Sequence, residues 1–234
     1  MARLLLLSSS RVHPTGFLEH CRDRIASHFS GCSEVTFIPY ALADHARYES
    51  LVQEAMAPMG IQVRSIHHAA DPVSAIESAE ALFTGGGNTF RLLKTLYDRQ
   101  LIQPLRKSIQ QAGIPYMGSS AGTNLAGPTI RTTNDMPILE PPTFEALQLV
   151  PFQINPHYLD ADPNSTHKGE TRAQRLAEYL EENETPVVAL REGSWLEVDD
   201  ERCQLGGTTG MVLFRRGEPA QEMGPTADLQ FLLD

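Results

Sequence analysis

The chain is poor in the residues that mark several whole classes of protein. It has only three cysteines, Cys21, Cys32 and Cys203, an odd count with no Cys-x-x-Cys spacing. That pattern excludes a disulfide framework and suits a reducing compartment, the cytoplasm. No apolar run approaches the ~18 residues of a membrane span. Leu4 to Leu7 follows Arg3 and stops at Ser8-Ser9-Ser10, too short for a signal peptide and suited to a first buried strand. Basic charge is scarce, with 19 Lys and Arg against 29 Asp and Glu and a net charge of −10, which argues against nucleic acid or an anionic membrane as partner. None of the eight histidines stands at a helical ligand spacing; His67 and His68 are adjacent and on a strand would point apart, so no metal and no other cofactor is expected. Repeats, low-complexity tails and Pro- or Gly-rich linkers are missing too, so residues 1–234 read as one domain.

What is present is an alternation of apolar runs and amphipathic stretches. Strands are expected at residues 3–8, 35–38, 62–66, 81–84 and the run ending at Ser120, with helices at 17–29, 47–56, 72–79 and two between 89 and 112. Asp71 as cap and Pro72 at the first helical position mark one helix start. This rhythm predicts an α/β fold, a mostly parallel sheet with helices on both faces. Residues 129–164, rich in Pro, Asn, Thr and Asp, read as long loops over the carboxyl edge of that sheet, broken by a short strand at 147–152. A helix at 169–182, a strand at 187–190 and short strands between 195 and 214, with turns at Asp199-Asp200 and Gly206-Gly207, complete the reading.

Functional groups in such sheets gather at the carboxyl ends of the strands. Two glycine clusters lie there. Gly118-Ser119-Ser120-Ala121-Gly122 places Ser120 at a sharp strand-to-helix turn, where flanking glycines relieve crowding and the hydroxyl is lifted clear of the sheet. Gly85-Gly86-Gly87-Asn88 matches neither phosphate-loop pattern and suits an oxyanion hole better, with amides from Gly86, Gly87 and Ala121.

A serine nucleophile needs a base and an acid that orients it. His157, in Asn155-Pro156-His157-Tyr158, is the leading base and His167 the alternative. Glu192, just after an apolar strand, competes for the third place with Asp135, Asp160 and Asp162; spacing alone does not choose among them.

Together, Gly85-Gly86-Gly87-Asn88-Thr89-Phe90, Gly118 to Gly122, the run from Pro128 to Pro137, Ile154-Asn155-Pro156-His157 and His167-Lys168-Gly169-Glu170-Thr171-Arg172 resemble, in order and across nearly the whole chain, the peptidase E family of α-aspartyl dipeptidases. The resemblance implies a flavodoxin-like fold similar to the class I glutamine amidotransferases. It also implies a serine peptidase that cleaves dipeptides with an N-terminal aspartate through an acyl-enzyme. Ser120 would be nucleophile and His157 base, with Glu192 or Asp135 as third member. Such a reaction requires a cation for the aspartate side chain, first Arg172 and behind it Lys168 and Arg131, and an acceptor for the free amine, Asp135 or Glu170. Asn88 joins these as a substrate contact. Ser119 stands where the family pattern has Trp, which would reshape one pocket wall. The partner is then a small peptide, and a homodimer is left open. Two other readings compete: a cyanophycinase-like β-aspartyl peptidase, and a non-catalytic small-ligand binder on the same fold.

Overall fold

The computed structural model describes residues 2–164, 166, 169–199 and 202–233. Its first half is built from β1 (Leu4–Leu7), α1 (Arg22–His28), β2 (Glu34–Ile38), α2 (His45–Met56), β3 (Gln62–Ser65), α3 (Pro72–Glu77), β4 (Leu82–Thr84), α4 (Thr89–Asp98), α5 (Ile102–Gln110), β5 (Tyr116–Ser119) and α6 (Ala121–Asn124). The second half adds β6 (Gln153–Tyr158), α7 (Arg172–Glu182), β7 (Val187–Arg191), β8 (Ser194–Val198), β9 (Cys203–Gly207), β10 (Met211–Phe214) and β11 (Gln221–Met223). Asp71 caps α3 as the sequence predicts, its carboxylate accepting from the amides of Val73 and Ser74.

These strands form two sheets. The larger runs β3-β2-β4-β5-β1-β8-β9, with the first five strands parallel and β8 and β9 antiparallel. Its β3-β2-β4-β5 portion follows the flavodoxin-like order, with β1 seated beside β5. The four β1 leucines are buried because helices cover both faces of a parallel sheet. The smaller sheet, β11-β10-β7-β6, pairs β6 parallel to β7 and the rest antiparallel. One apolar core serves both, since Leu4, Leu6 and Leu196 of the first cluster with Ile154, Val188 and Leu190 of the second.

Three expected features differ, the first being that Gly206-Gly207 is not a turn but the end of β9, paired with Trp195 and Ser194 of β8. The helix at 17–29 is shorter: a left-handed Leu18 and a 3₁₀ turn at Glu19–Cys21 precede α1, although Cys21, Ile25 and Phe29 are buried as their spacing implies. Residues 147–152 are not a strand. Leu147, Val150 and Phe152 are buried, but the amides of Leu147 and Leu149 donate to Leu125 and Ala126 just after α6, so the run is a packed loop and the strand begins at Gln153. No helix among the described residues is long and apolar enough to cross a membrane.

Candidate active site

Ser120 follows β5 and opens α6 with φ 53° and ψ −109°, a conformation that costs a non-glycine residue energy and turns its side chain off the sheet edge. The surroundings enforce it. The Ser120 amide donates to Leu7 at the end of β1, and a Cβ on Gly122 would run into the Thr84 carbonyl. Gly86 faces the hydroxyl so closely that a Cβ there would stand 2.9 Å from that of Ser120.

His157 lies within β6 rather than in a loop beyond it, and a bulge aims it. Between Asn155↔Ala189 and Tyr158↔Arg191 the strand takes three steps to its partner's two, and His157 at φ 54° absorbs the extra residue. Its Nε2 is 2.8 Å from Ser120 Oγ, and its Nδ1 is 2.7 Å from Glu192 Oε1. Glu192 sits in the β7–β8 turn, where the Thr209 hydroxyl donates to its carbonyl. The pair is not sealed from water: the His157 side chain is 38% exposed and that of Glu192 56%.

A buried side chain that sequence reading missed joins the parts. The hydroxyl of Ser8, one residue past β1, donates to the Leu190 carbonyl of β7 and accepts from the His157 amide at 2.9 Å. The end of β1 thus holds Ser120 through Leu7 and His157 through Ser8. A serine after a leucine run gives no sign of this, because both partners are backbone groups distant in sequence.

Other expected site residues are engaged elsewhere. Asp135 makes no bond to His157; its Oδ2 accepts from the Thr89 amide and hydroxyl at 2.7 and 2.6 Å, at the start of α4. Asn88 caps α4 through Oδ1 and donates from Nδ2 to the Met136 carbonyl, so both ends of its amide hold the loop in place instead of standing free for a ligand. Asp160 is locked in a two-pronged ion pair with Arg191, which holds its pKa below the usual carboxylate value, and Asp162 accepts from the Asn164 amide in a turn. Of the three glycine and alanine amides, that of Gly86 faces the Tyr48 hydroxyl. Those of Gly87 and Ala121 make no hydrogen bond among the described residues. Ser119 is fully buried with an unpartnered hydroxyl and so lines no open wall.

Arg172, at the first position of α7, makes no ion pair among the described residues. Burial is the main cause lowering its pKa, the neighbouring Arg175 adds to this, and Asp135 opposes both. It lines a cavity of about 590 Å³ with Leu159, Asp160, Gly169, Glu170 and Arg175. Arg131 instead lies over the Phe144 ring, and Glu170 pairs with Arg175. His167 and Lys168 lie outside the described residues.

Residues 4–206 match the model of peptidase family S51. The chain belongs to that family. It is 55% identical to peptidase E of Streptomyces coelicolor over 99% of this chain and 95% of that one. A Drosophila melanogaster protein named "Probable alpha-aspartyl dipeptidase" is 49% identical, covering 98% and 97%, and peptidase E of Salmonella typhimurium is 46% identical, covering 93% and 95%. The fold is also that of a peptidase from an acI-B1 actinobacterium, at a TM-score of 0.70 and 17% identity over 98% of this chain and 96% of that chain. This S51 chain is therefore a serine-type peptidase.

Proposed function

We propose that this peptidase hydrolyses dipeptides with an N-terminal aspartate through an acyl-enzyme on Ser120. The carrying observation is the continuous chain Ser120 Oγ, His157 Nε2, His157 Nδ1, Glu192 Oε1, with links of 2.8 and 2.7 Å and its first member held in a strained turn. His157 takes the Ser120 proton as Oγ bonds to the aspartyl carbonyl carbon, and Glu192 stabilises the imidazolium that forms. The Gly87 and Ala121 amides receive the oxyanion. His157 returns the proton to the departing amine as the C–N bond breaks, and then activates the water that releases aspartate.

Selectivity follows from charges already in place. Arg172, without an ion-pair partner among the described residues, would bind the substrate side-chain carboxylate; Asp135 Oδ1, free of hydrogen bonds among the same residues, would accept from the free ammonium. Asp135 is then a substrate contact and Glu192 the third triad member. The assembled triad weighs against a purely binding role. Free thiols at Cys21, Cys32 and Cys203 fit work in the cytoplasm. Incubation with Asp-Leu, β-Asp-Arg and Leu-Leu tests the reading. Turnover of Asp-Leu alone, abolished by Ser120→Ala, is expected; preferential cleavage of β-Asp-Arg would transfer the protein to the cyanophycinase-like alternative, and no cleavage would sink both.

A further inference from the structure

A second group of chemically able side chains lies away from Ser120, at the carboxyl end of the edge strand β3, which β2 and β4 separate from β5. Residues 66–68 do not continue that strand. They form a 3₁₀ turn, Ile66–His68, so His67 and His68 do not point apart; their ring centroids are 3.8 Å apart with the planes tilted by 37°. Facing them is α2, whose His45 and Glu49 lie four residues apart on one helical face. A ring nitrogen from each of His67 and His68 and a carboxylate oxygen of Glu49 lie within 4.8 Å of one another. The His45 ring packs 5.4 Å from that of His67.

We propose that Glu49, His67 and His68 bind one divalent transition-metal ion of the zinc type, with water as fourth ligand, at a site separate from the peptidase centre. Two imidazoles and a carboxylate form a donor set suited to zinc, whereas magnesium and calcium prefer oxygen alone. Tetrahedral ligands on zinc stand ~3.3 Å apart, so side-chain rotations suffice to close these donors on an ion.

Outer groups already orient the ligands, as zinc sites require. Glu49 Oε1 accepts from the Ser65 amide at 3.1 Å and from Gln53, which leaves Oε2 toward His68 at 2.8 Å. The buried Ser65 hydroxyl is 2.6 Å from His67 Nδ1; with Nδ1 spent there, Nε2 is the nitrogen left for metal. The Glu49 side chain is only 13% exposed and that of His68 is 62% exposed, so an anchored carboxylate meets a ring reachable from solvent. An ion here would tie α2 to the end of β3. This inference does not depend on the substrate assignment.

The test is metal uptake by chelator-stripped protein, read by equilibrium dialysis and by the visible spectrum of the cobalt(II) form. Wild type is expected to take up one more zinc ion than the His67→Asn/His68→Asn variant and to show a tetrahedral cobalt spectrum that the variant lacks. Its Tm should rise by roughly 5 °C at a hundredfold excess of zinc over Kd, while magnesium gives no shift. His157→Asn should keep the ion, which separates this site from zinc caught on the triad. Without metal the double variant should cleave Asp-Leu like wild type, and Glu49→Gln supplies an independent ligand loss if the double variant folds poorly. Equal uptake by wild type and either ligand variant, no uptake at all, or uptake lost only in His157→Asn would overturn the proposal.

Discussion

Replacing Glu192 by Gln tests how much the triad draws from a carboxylate that water can reach. The exchange preserves shape, and the backbone stays anchored because the Thr209 hydroxyl bonds to the residue-192 carbonyl, not to the side chain. What disappears is one negative charge in contact with Nδ1 when His157 becomes an imidazolium in the transition state. Two unit charges about 4 Å apart attract by about 1 kcal/mol in water and about 4 kcal/mol at an effective dielectric of about 20. With side-chain exposures of 56% and 38%, this pair falls between those limits, near ~2 kcal/mol, or ~30-fold in rate. A buried triad aspartate is worth about 10⁴-fold when changed to its amide, largely because the wrong imidazole tautomer is trapped. Here the exposed amide side chain introduced by Glu192→Gln can rotate to present its oxygen to Nδ1–H, so that penalty is largely avoided. Steady-state kinetics on Asp-Leu should therefore show kcat down about 30-fold with KM little changed, whereas Asp135→Asn should chiefly raise KM. A Glu192→Gln enzyme within about threefold of wild type, or one crippled by about 10⁴, would refute the reasoning, as would a kcat defect confined to Asp135→Asn.

Ser120→Ala should lower kcat by at least about 10⁴-fold with the fold intact by circular dichroism, while the buried Ser119→Ala stays active; the reverse outcome would reassign the nucleophile. Arg172→Lys and Arg172→Ala should lose at least about 30-fold in kcat/KM on Asp-Leu, the low end for a partly exposed charge pair, and far less on Asn-Leu; equal losses on both peptides would return Arg172 to a structural role. Buried His28 donates to the Tyr116 carbonyl, and burial, assisted by Arg3 and Arg24, pushes its pKa down to about 3. A depressed histidine contributes its full stability above about pH 6.5 and loses it as pH falls toward 3, so acidification from pH 7 to 5 should cost about 2 kcal/mol at this residue. Urea denaturation of His28→Gln should show that much less change across the same interval, and an unchanged pH slope would remove His28 as its source.

The parallel sheet was legible because each strand carries its own apolar run and each helix its own stripe, and Ser120 was legible because its strain needs local glycines. The second sheet was not, since its pairings join residues far apart, such as Gln153 and Val187 or Leu190 and Met211. Pro156 hid β6: a proline ordinarily demotes a strand, yet this one lies beside a bulge on an edge. The apolar run at 147–152 drew the strand assignment to itself, because burial without periodicity does not distinguish a core strand from a packed loop. His157 was singled out by motif and Glu192 by its place after a strand, and the structure joins both to Ser120 through hydrogen bonds. The anchoring of Asn88 and of Asp135 Oδ2 was not legible, because polar loop side chains spend hydrogen bonds on backbone groups that no sequence spacing reveals.

The Ser8 hydroxyl makes the proposed catalytic apparatus a seam. Ser120 hangs from one sheet, His157 and Glu192 from the other, and the Ser8 oxygen where β1 ends ties them, together with the Asn124 amide of α6 that donates to the Ile154 carbonyl of β6. Neither sheet alone contains a working set of groups, however well folded it is. Turnover is thus a gauge of how the two halves are seated against each other, and a slip of about 1 Å along that join is enough to cost about 10²-fold in rate. The enzyme should fall silent before it melts.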